Sequence, residues 1–170
     1  MGNTPQEESI RWERIKVLLL DSDGVLTDGG VFLPESGAPE YRRFDIKDGF
    51  GITRLLSGGF PLAVISRSPS VPVRIRCERL GIPHVFLGAA DKTACAAELL
   101  ERLGLAWRDA AFMGDDVPDL PLLGKVGFPL APADASPEVL RAAAWVSGRP
   151  GGSGAVREAC DRIHFARSAG

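Results

Sequence analysis

The chain has 170 residues, of which 45% are hydrophobic and 25% are charged, a balance typical of one globular domain with a sizeable core. Its formal net charge of -2 provides no basic surface for nucleic acid, and no apolar stretch is long enough to cross a bilayer, so we expect neither nucleic acid nor membrane as a partner. The three cysteines lie far apart, and the N-terminus lacks the basic and apolar regions of a secretory signal, so we expect free thiols in the cytoplasm.

The predicted elements alternate between strands and helices. We expect residues 1–14 to form a flexible N-terminal segment and residues 15–167 to form a single domain. Residues 15–20 are an apolar run of strand length, typical of a strand that is buried on both faces of a parallel sheet. Further strands are predicted at 61–65, 84–87, 110–113 and 144–147, with a weaker candidate at 127–130.

Helices are predicted between these strands, over 48–56 and 70–80, each followed by glycine. The segment after Asp91 has apolar residues at helical spacing, and a similar stripe runs through 156–163. Alternating strands and helices predict right-handed βαβ crossovers and therefore a three-layer α/β domain with a doubly wound parallel sheet. In such a domain ligands bind at the carboxyl ends of the strands.

Two segments interrupt this alternation. Residues 31–33 and 41–44 flank a turn-rich stretch, which predicts a β-hairpin that projects from the domain just after the first strand. Residues 148–154 are rich in glycine, and we expect a mobile loop there.

Polar side chains follow the predicted strands at the edge where ligands are expected. Asp21 and Asp23 come directly after the first strand and, two residues apart, point to the same side. Gly24 permits a tight turn, Ser66 follows the second core strand, and Lys92 opens a helix. Because the carboxyl ends of parallel strands meet at one edge, these side chains are expected to converge.

An acidic run follows the strand at 110–113. Asp21 and Asp115 are expected to bind magnesium, which prefers carboxylate oxygens and substrate phosphate, and Asp116 or Asp119 is expected to hold metal-bound water. The set predicts phosphoryl transfer, with Asp21 attacking phosphorus to form an aspartyl-phosphate. Asp23 would be the general acid and base.

Lys92 and Ser66 complete this predicted site. Lys92 would neutralise charge on the phosphoryl oxygens, and the Ser66 hydroxyl would donate a hydrogen bond to them. Each motif alone is weak, since paired aspartates often cap turns and single lysines are usually solvated. Their joint occurrence at strand ends and a helix start favours a site.

Two other classes of protein use similar residues. A receiver domain combines a carboxylate cluster, a hydroxyl and a lysine, but it needs an acceptor aspartate after a middle strand, where this chain has Ser66. A non-catalytic regulatory module with the same fold is the second alternative. The presence of all the predicted catalytic groups disfavours it.

These motifs resemble those of the haloacid dehalogenase superfamily, with DSDGVLT at 21–27 similar to the first motif, Ser66 to the second, Lys92 to the third and GDDVPD at 114–119 to the fourth. Residues 15–166 resemble, more narrowly, the 3-deoxy-D-manno-octulosonate (KDO) 8-phosphate phosphatases. The segments that carry this resemblance are DGVLTDG at 23–29, FDIKDGFGI at 44–52, LGIPH at 80–84, DK at 91–92 and GGSGAVRE at 151–158.

The resemblance implies a capless phosphatase in which the hairpin stands in place of a cap domain. It implies a homotetramer whose hairpins join in a central barrel, and magnesium bound by Asp21, the Asp23 carbonyl and Asp115. It also implies that residues 151–154 fold over an active site, either that of the same chain or that of a neighbour.

Two departures from the family pattern bear on the substrate. Relatives usually have an aliphatic residue at the position of Ser22, whose side chain we expect to face away from the metal with little catalytic consequence. The second motif reads Ser66-Arg67-Ser68 in place of Thr-Gly-Arg, which retains the hydroxyl but displaces the arginine by one position.

The leading substrate is therefore KDO 8-phosphate, and the alternative is a nonulosonate 9-phosphate of the sialic acid or KDN type. Arg67 is a candidate substrate contact. Arg157 is a candidate contact for a substrate carboxylate, or else a surface residue of the last helix.

Overall fold

The computed structural model describes residues 12–37 and 40–168. One parallel sheet of six strands has the order β3-β2-β1-β4-β5-β6. The strands are β1 (Val17–Leu20), β2 (Leu62–Ser66), β3 (His84–Leu87), β4 (Ala110–Met113), β5 (Phe128–Ala131) and β6 (Trp145–Val146). This architecture confirms the predicted α/β fold with a doubly wound parallel sheet.

Six α-helices whose whole range is described accompany the sheet: α1 (Ile46–Ser57), α2 (Val71–Leu80), α3 (Lys92–Leu103), α4 (Leu120–Leu123), α5 (Pro137–Ala142) and α6 (Ala155–Ser168). Residues 12–14 are also helical, and two short 3-10 helices lie at Trp107–Asp109 and Val117–Asp119. Helix α3 begins where the Asp91 side chain accepts a hydrogen bond from Ala94 N, and it ends at Gly104 in the left-handed conformation. Helices α4 and α5 were not predicted, because one or two turns are too short to show a helical period. None of the helices in these ranges has the length and apolar character that spanning a bilayer requires.

The core lies on both faces of the sheet, as β1 illustrates. Leu18 and Leu20 pack on one face with residues of α1 and α6, and Val17 and Leu19 pack on the other with residues of α3 and α4. All four side chains are fully buried. Burial on both faces is the reason that this strand is a continuous apolar run in the sequence.

The N-terminal boundary of the packed region includes Trp12. Its ring makes edge contacts with Phe128 at 4.9 Å and with Trp145 at 5.3 Å. Trp12 falls within the segment predicted to be flexible, whose residues 1–11 lie outside the described residues.

The hairpin projects as predicted, but its arms are joined by little backbone pairing. Antiparallel bridges link Thr27 with Phe44 and Phe32 with Tyr41, and both are isolated bridges. Residues 38 and 39 of its turn lie outside the described residues.

The glycine-rich segment 148–154 differs from its prediction as a mobile loop. Gly151 and Gly152 are buried against the turn after β1, and Gly152 N donates a hydrogen bond of 2.9 Å to Val25 O. A Cβ at Gly151 would overlap the carbonyl of Gly24. The glycines here permit close approach of two backbones, so the segment packs on the turn after β1 of its own chain.

Candidate active site

The polar residues that follow β1, β2 and β4 meet at one edge of the sheet. The registers pair Leu20 with Val64 of β2 and with Met113 of β4, so the three strands end side by side. A cavity of about 360 Å³ lies at this edge. Its lining includes all the predicted site residues except Arg157: Asp21, Asp23, Ser66, Arg67, Lys92, Asp115, Asp116 and Asp119.

Lys92 lies between two carboxylates. Its Nζ is 2.7 Å from Asp21 Oδ1 and 2.6 Å from Asp119 Oδ1, and all three side chains are at least nine-tenths buried. Burial by itself lowers the pKa of Lys92, but the charges of Asp21 and Asp119 reverse this, and its pKa lies above the ordinary value. The lysine is therefore a fixed cation beside Asp21.

Asp119 is held by the backbone as well as by Lys92. Its Oδ2 accepts hydrogen bonds from Asp115 N at 2.9 Å and from Asp116 N at 3.4 Å. A Cβ at Gly114 would overlap the Asp119 side chain, so glycine permits this close packing. Both oxygens of Asp119 are thus hydrogen-bonded, one to Lys92 and the other to the turn after β4.

Three carboxylates form a cluster that suits a divalent cation. One oxygen each from Asp21, Asp115 and Asp119 lies within 4.8 Å of the others. Burial, together with the charge of Asp119, raises the pKa of Asp21 to about 6. Burial, together with the charges of Asp21 and Asp119, raises the pKa of Asp115 to about 8. The positive charge of Lys92 does not offset the repulsion among the three carboxylates. Carboxylate oxygens are the ligands that magnesium prefers.

Gly24 makes room for the cluster. Its φ of 79° lies in the left-handed region, and a Cβ at this position would overlap the Asp115 carboxylate. The glycine of the first motif therefore lets the turn after β1 approach the acidic turn after β4.

Asp23 lies on the outer side of the cavity, toward the hairpin. Arg42 Nε is 3.3 Å from Asp23 Oδ1, and Arg42 Nη2 is 3.2 Å from Glu40 Oε1. Burial raises the pKa of Asp23, and the charge of Arg42 opposes that rise. Its carboxyl side chain is 33% exposed, so an incoming ligand can reach it.

Arg42 was not identified from the sequence as a site residue. It lies 19 positions after Asp23 on a segment predicted only as a hairpin arm, next to another arginine, and no local pattern distinguishes the two. Its side chain is only 6% exposed, an unusual burial for an arginine on a projecting hairpin.

Ser66 and Ser22 are in direct contact. The Ser22 hydroxyl donates a hydrogen bond of 2.7 Å to Ser66 Oγ, and the Ser68 N–H donates to the same oxygen at 3.1 Å. The side chain of Ser22 points toward the end of β2, so it reaches a predicted catalytic residue.

Of the remaining predicted site residues, Asp116 and Arg67 line the cavity, and Arg157 does not. Asp116 lines the cavity and accepts a hydrogen bond from Val117 N at 2.8 Å. Arg67 lines the cavity, and its guanidinium has no carboxylate partner among the described residues. Arg157 lies on α6 outside the cavity, where its Nε is 2.7 Å from Asp161 Oδ1 and its guanidinium lies over Phe50. This position does not support a contact between Arg157 and substrate in its own chain.

Known proteins resemble the chain along most of its length, although no protein-family model matches it. It is 39% identical over 155 residues to the 3-deoxy-D-manno-octulosonate 8-phosphate phosphatase of Escherichia coli K12, which is 91% of this chain and 82% of that protein. The crystal structure of the enzyme of that name from Yersinia pestis is 36% identical, with a TM-score of 0.91 over 94% of this chain and 86% of that one.

A third relative was crystallised with ligands. The 3-deoxy-D-manno-octulosonate 8-phosphate phosphatase of Moraxella catarrhalis, in complex with magnesium, phosphate and KDO, is 32% identical. Its TM-score is 0.91, with 96% of this chain and 93% of that chain covered.

Proposed function

The chain belongs to the 3-deoxy-D-manno-octulosonate 8-phosphate phosphatase family of the haloacid dehalogenase superfamily, and we propose that its site hydrolyses KDO 8-phosphate through an aspartyl-phosphate on Asp21. The protein is a phosphomonoester hydrolase, and magnesium is its cofactor. The observation that carries the assignment of roles is the arrangement of Asp21, Lys92, Asp115 and Asp23 around one cavity at the carboxyl edge of the sheet.

The first half of the reaction transfers the phosphoryl group to the protein. The Asp21 carboxylate attacks phosphorus, a bond forms from its oxygen to phosphorus, and the ester P–O bond breaks. Asp23 gives its proton to the departing sugar oxygen. Lys92 and the Ser66 hydroxyl stabilise the negative charge on the phosphoryl oxygens.

The second half releases phosphate. A water molecule attacks the phosphorus and gives its proton to Asp23, so that the bond between Asp21 and phosphorus breaks and both carboxyls return to their starting states. A positioned acid and base of this kind contributes roughly 100- to 10,000-fold in rate. Magnesium, when held by Asp21, the Asp23 carbonyl and Asp115, offsets the negative charge of the carboxylates and the phosphate.

The proposed substrate can be tested by measuring phosphate release in the presence of magnesium. The panel contains KDO 8-phosphate, two nonulosonate 9-phosphates and simple hexose phosphates. We expect kcat/KM for KDO 8-phosphate to exceed the others by about tenfold or more, the discrimination that one or two polar contacts provide. A preference for a nonulosonate would instead establish the alternative substrate class. Release from none of the esters would refute a phosphatase and favour the regulatory module.

Arg67 is the residue through which we propose that the altered second motif acts on substrate choice. Arg67 lines the cavity, and its guanidinium has no carboxylate partner among the described residues, so it is available to bind a carboxylate or hydroxyl of the sugar acid. An Arg67→Gln variant should lose activity on sugar-acid phosphates and keep it on hexose phosphates. Equal losses on both would show that Arg67 does not distinguish the acid.

The hairpin supports a homotetramer as the functional form. Phe32, Leu33 and Tyr41 have exposed fractions of 64%, 77% and 63%. An apolar cavity of about 450 Å³, lined in part by Tyr41, Phe44 and Ile75, adjoins them between the hairpin and α2. A concentration of exposed apolar side chains of this kind marks a protein interface. Association through the projecting hairpins would bury them.

Light scattering tests this assembly. A variant with Phe32→Asp and Leu33→Asp should have the mass of one chain, whereas the parent should have fourfold that mass. Phe165→Asp is the matched control, because Phe165 on α6 is 62% exposed and lies away from the hairpin. A hairpin variant that keeps the parent's mass would exclude these residues from the interface.

We also propose that the protein acts in the cytoplasm. Cys77, Cys95 and Cys160 are all free, and Cys77 and Cys160 are buried. Unpaired thiols are typical of a reducing compartment.

A further inference from the structure

Two serine hydroxyls meet beside the catalytic cavity. Ser22 Oγ and Ser66 Oγ are 2.7 Å apart, and the two residues are 0% and 2% exposed. Ser22 follows β1 and Ser66 ends β2, so the contact joins two neighbouring strands at the carboxyl edge of the sheet. Ser66 lines the cavity, whereas Ser22 is absent from the described residues that line it.

The direction of this hydrogen bond follows from the surroundings of Ser22. Among the described residues, Ser66 Oγ is the one acceptor within reach of the Ser22 proton. If Ser66 donated instead, a buried hydroxyl proton on Ser22 would have no acceptor, which costs free energy. Ser22 is therefore the donor and Ser66 Oγ the acceptor.

The Ser66 oxygen then receives two donors, because the Ser68 N–H also donates to it at 3.1 Å. A hydroxyl oxygen has two lone pairs, and both are occupied. The O–H of Ser66 is left to donate on its remaining side, which faces the cavity.

We propose that Ser22 is a positioning residue, which holds Ser66 Oγ in its observed rotamer and so directs the Ser66 O–H toward a phosphoryl oxygen in the cavity. The inference rests on the proposed function, because a phosphoryl group is the acceptor that the cavity is expected to hold. It changes the expectation for Ser22, which was predicted to have little catalytic consequence.

The contact also supplies a restraint that a serine side chain lacks. A threonine at position 66 would be β-branched, and its methyl group would restrict rotation about χ1. Serine lacks this restraint, so Ser66 needs another means of fixing its hydroxyl. The hydrogen bond from Ser22 supplies it.

The experiment compares Ser22→Ala with the wild type in two measurements. With magnesium, kcat/KM for a phosphate ester should fall about 3- to 10-fold, the effect expected from one neutral hydrogen bond. The Kd of inorganic phosphate, measured by calorimetry with magnesium present, should rise by a similar factor. Ser70→Ala is the matched control, because Ser70 Oγ is buried without a hydrogen-bond partner, and neither quantity should change.

Two further backgrounds separate positioning from a structural role. In Ser66→Ala, adding Ser22→Ala should have no further effect, because no hydroxyl remains to be oriented. In Ser66→Thr, adding Ser22→Ala should cost less than about twofold, because the threonine methyl restricts rotation. Thermal unfolding of each variant establishes that it is folded at the assay temperature.

Three results would overturn the inference: no effect of Ser22→Ala on phosphate affinity, an equal loss in the Ser66→Ala background, or an equal loss in the Ser66→Thr background. Failure of the wild type to hydrolyse KDO 8-phosphate would instead count against the proposed substrate. The phosphate titration would still decide the role of Ser22, because it needs no substrate.

Discussion

The sheet edge and the hairpin both bring charged side chains to the catalytic cavity, but they hold them differently. At the sheet edge, Lys92 bridges Asp21 and Asp119 at distances of 2.7 and 2.6 Å, and all three side chains are nearly inaccessible to solvent. On the hairpin side, Arg42 approaches Asp23 at 3.3 Å, and the Asp23 side chain is one-third exposed.

The two regions therefore differ in the function that we expect of their charged side chains. At the sheet edge, burial and the charges of Asp21 and Asp119 raise the pKa of Asp115 to about 8, so a bound cation would favour the charged form of these carboxyls. The hairpin side leaves Asp23, the proposed acid, accessible to an incoming ligand, and we propose that the sugar leaving group lies on this side. We therefore expect substitutions at the edge to affect chemistry and stability, and substitutions on the hairpin to affect proton transfer.

The largest expected effect is at Asp21, the proposed nucleophile. Asp21→Asn should reduce phosphate release by on the order of 10,000-fold, because the amide cannot attack phosphorus. Circular dichroism should show the fold unchanged. Turnover near the wild-type level would remove Asp21 from its proposed role and the sheet edge from the chemistry.

The second expected effect is on stability at the sheet edge. Lys92→Met should lower the free energy of unfolding by about 3–5 kcal/mol at pH 8 without metal, because Asp21 and Asp119 are left buried without their cation. The pKa of Asp21, already raised to about 6, should rise further in this variant. A carboxyl whose pKa is higher in the folded state loses stability as the pH rises through that value, so the deficit should be smaller at pH 5.

Lys16→Met is the control for this prediction. Lys16 Nζ lies 3.1 Å from Asp109 Oδ1, but its side chain is 58% exposed, and a surface pair of this kind contributes at most about 1 kcal/mol. Urea unfolding of both variants at pH 5 and pH 8 makes the comparison. If Lys92→Met and Lys16→Met lost the same free energy of unfolding, burial would not make the ion pairs of Lys92 stronger than that of Lys16.

The third prediction concerns the hairpin. Arg42→Met removes the charge that holds Asp23, so the kcat for an alkyl phosphate should fall by about tenfold, roughly the value of one charge-assisted contact. The kcat for p-nitrophenyl phosphate should change less, because its leaving group departs without a proton. Arg42→Lys should recover part of the loss.

Arg43→Met serves as the comparison for Arg42. Arg43 is adjacent on the hairpin and pairs with Asp28 at 3.2 Å, with its side chain 55% exposed. Arg43→Met should leave the ratio of kcat for the alkyl phosphate to kcat for p-nitrophenyl phosphate unchanged. A loss in Arg42→Met that is the same for both esters would mean that Arg42 does not act through Asp23.

The fourth prediction concerns a buried carboxylate that lies outside the cavity. Asp48 on α1 accepts hydrogen bonds from Arg157 N at 2.7 Å and Gly154 N at 3.4 Å, and burial raises its pKa to about 6. The stability that this group contributes is present at low pH and is lost as the pH rises toward 7. The wild type should therefore lose at most about 3 kcal/mol relative to Asp48→Asn between pH 4 and pH 7. If the free energies of unfolding of the wild type and of Asp48→Asn changed equally between pH 4 and pH 7, the raised pKa of Asp48 would be contradicted.

Local sequence patterns were sufficient for the strands and the main helices. The run that became β1 is apolar throughout because both of its faces are buried, and Asp91 and Gly104 delimit α3 through short-range hydrogen bonds and backbone conformation. The short helices α4 and α5 could not be predicted, because they depend on packing against neighbouring elements. The segment 148–154 was expected to be a mobile loop because it is rich in glycine. In the structure, the same glycines permit close packing with a turn that is distant in sequence.

The sequence by itself determined the family, the parallel sheet and the residues that end each strand, because these depend on patterns within a few positions. The sequence also predicted that the polar residues at the strand ends converge, but only the tertiary structure decided which pairs of them are in direct contact. Lys92 and Asp119 are 27 residues apart, and Ser22 and Ser66 are 44 apart. The order and register of the strands bring them together, and the hairpin places Arg42 beside Asp23. These contacts depend on how whole elements pack, and no local pattern encodes them.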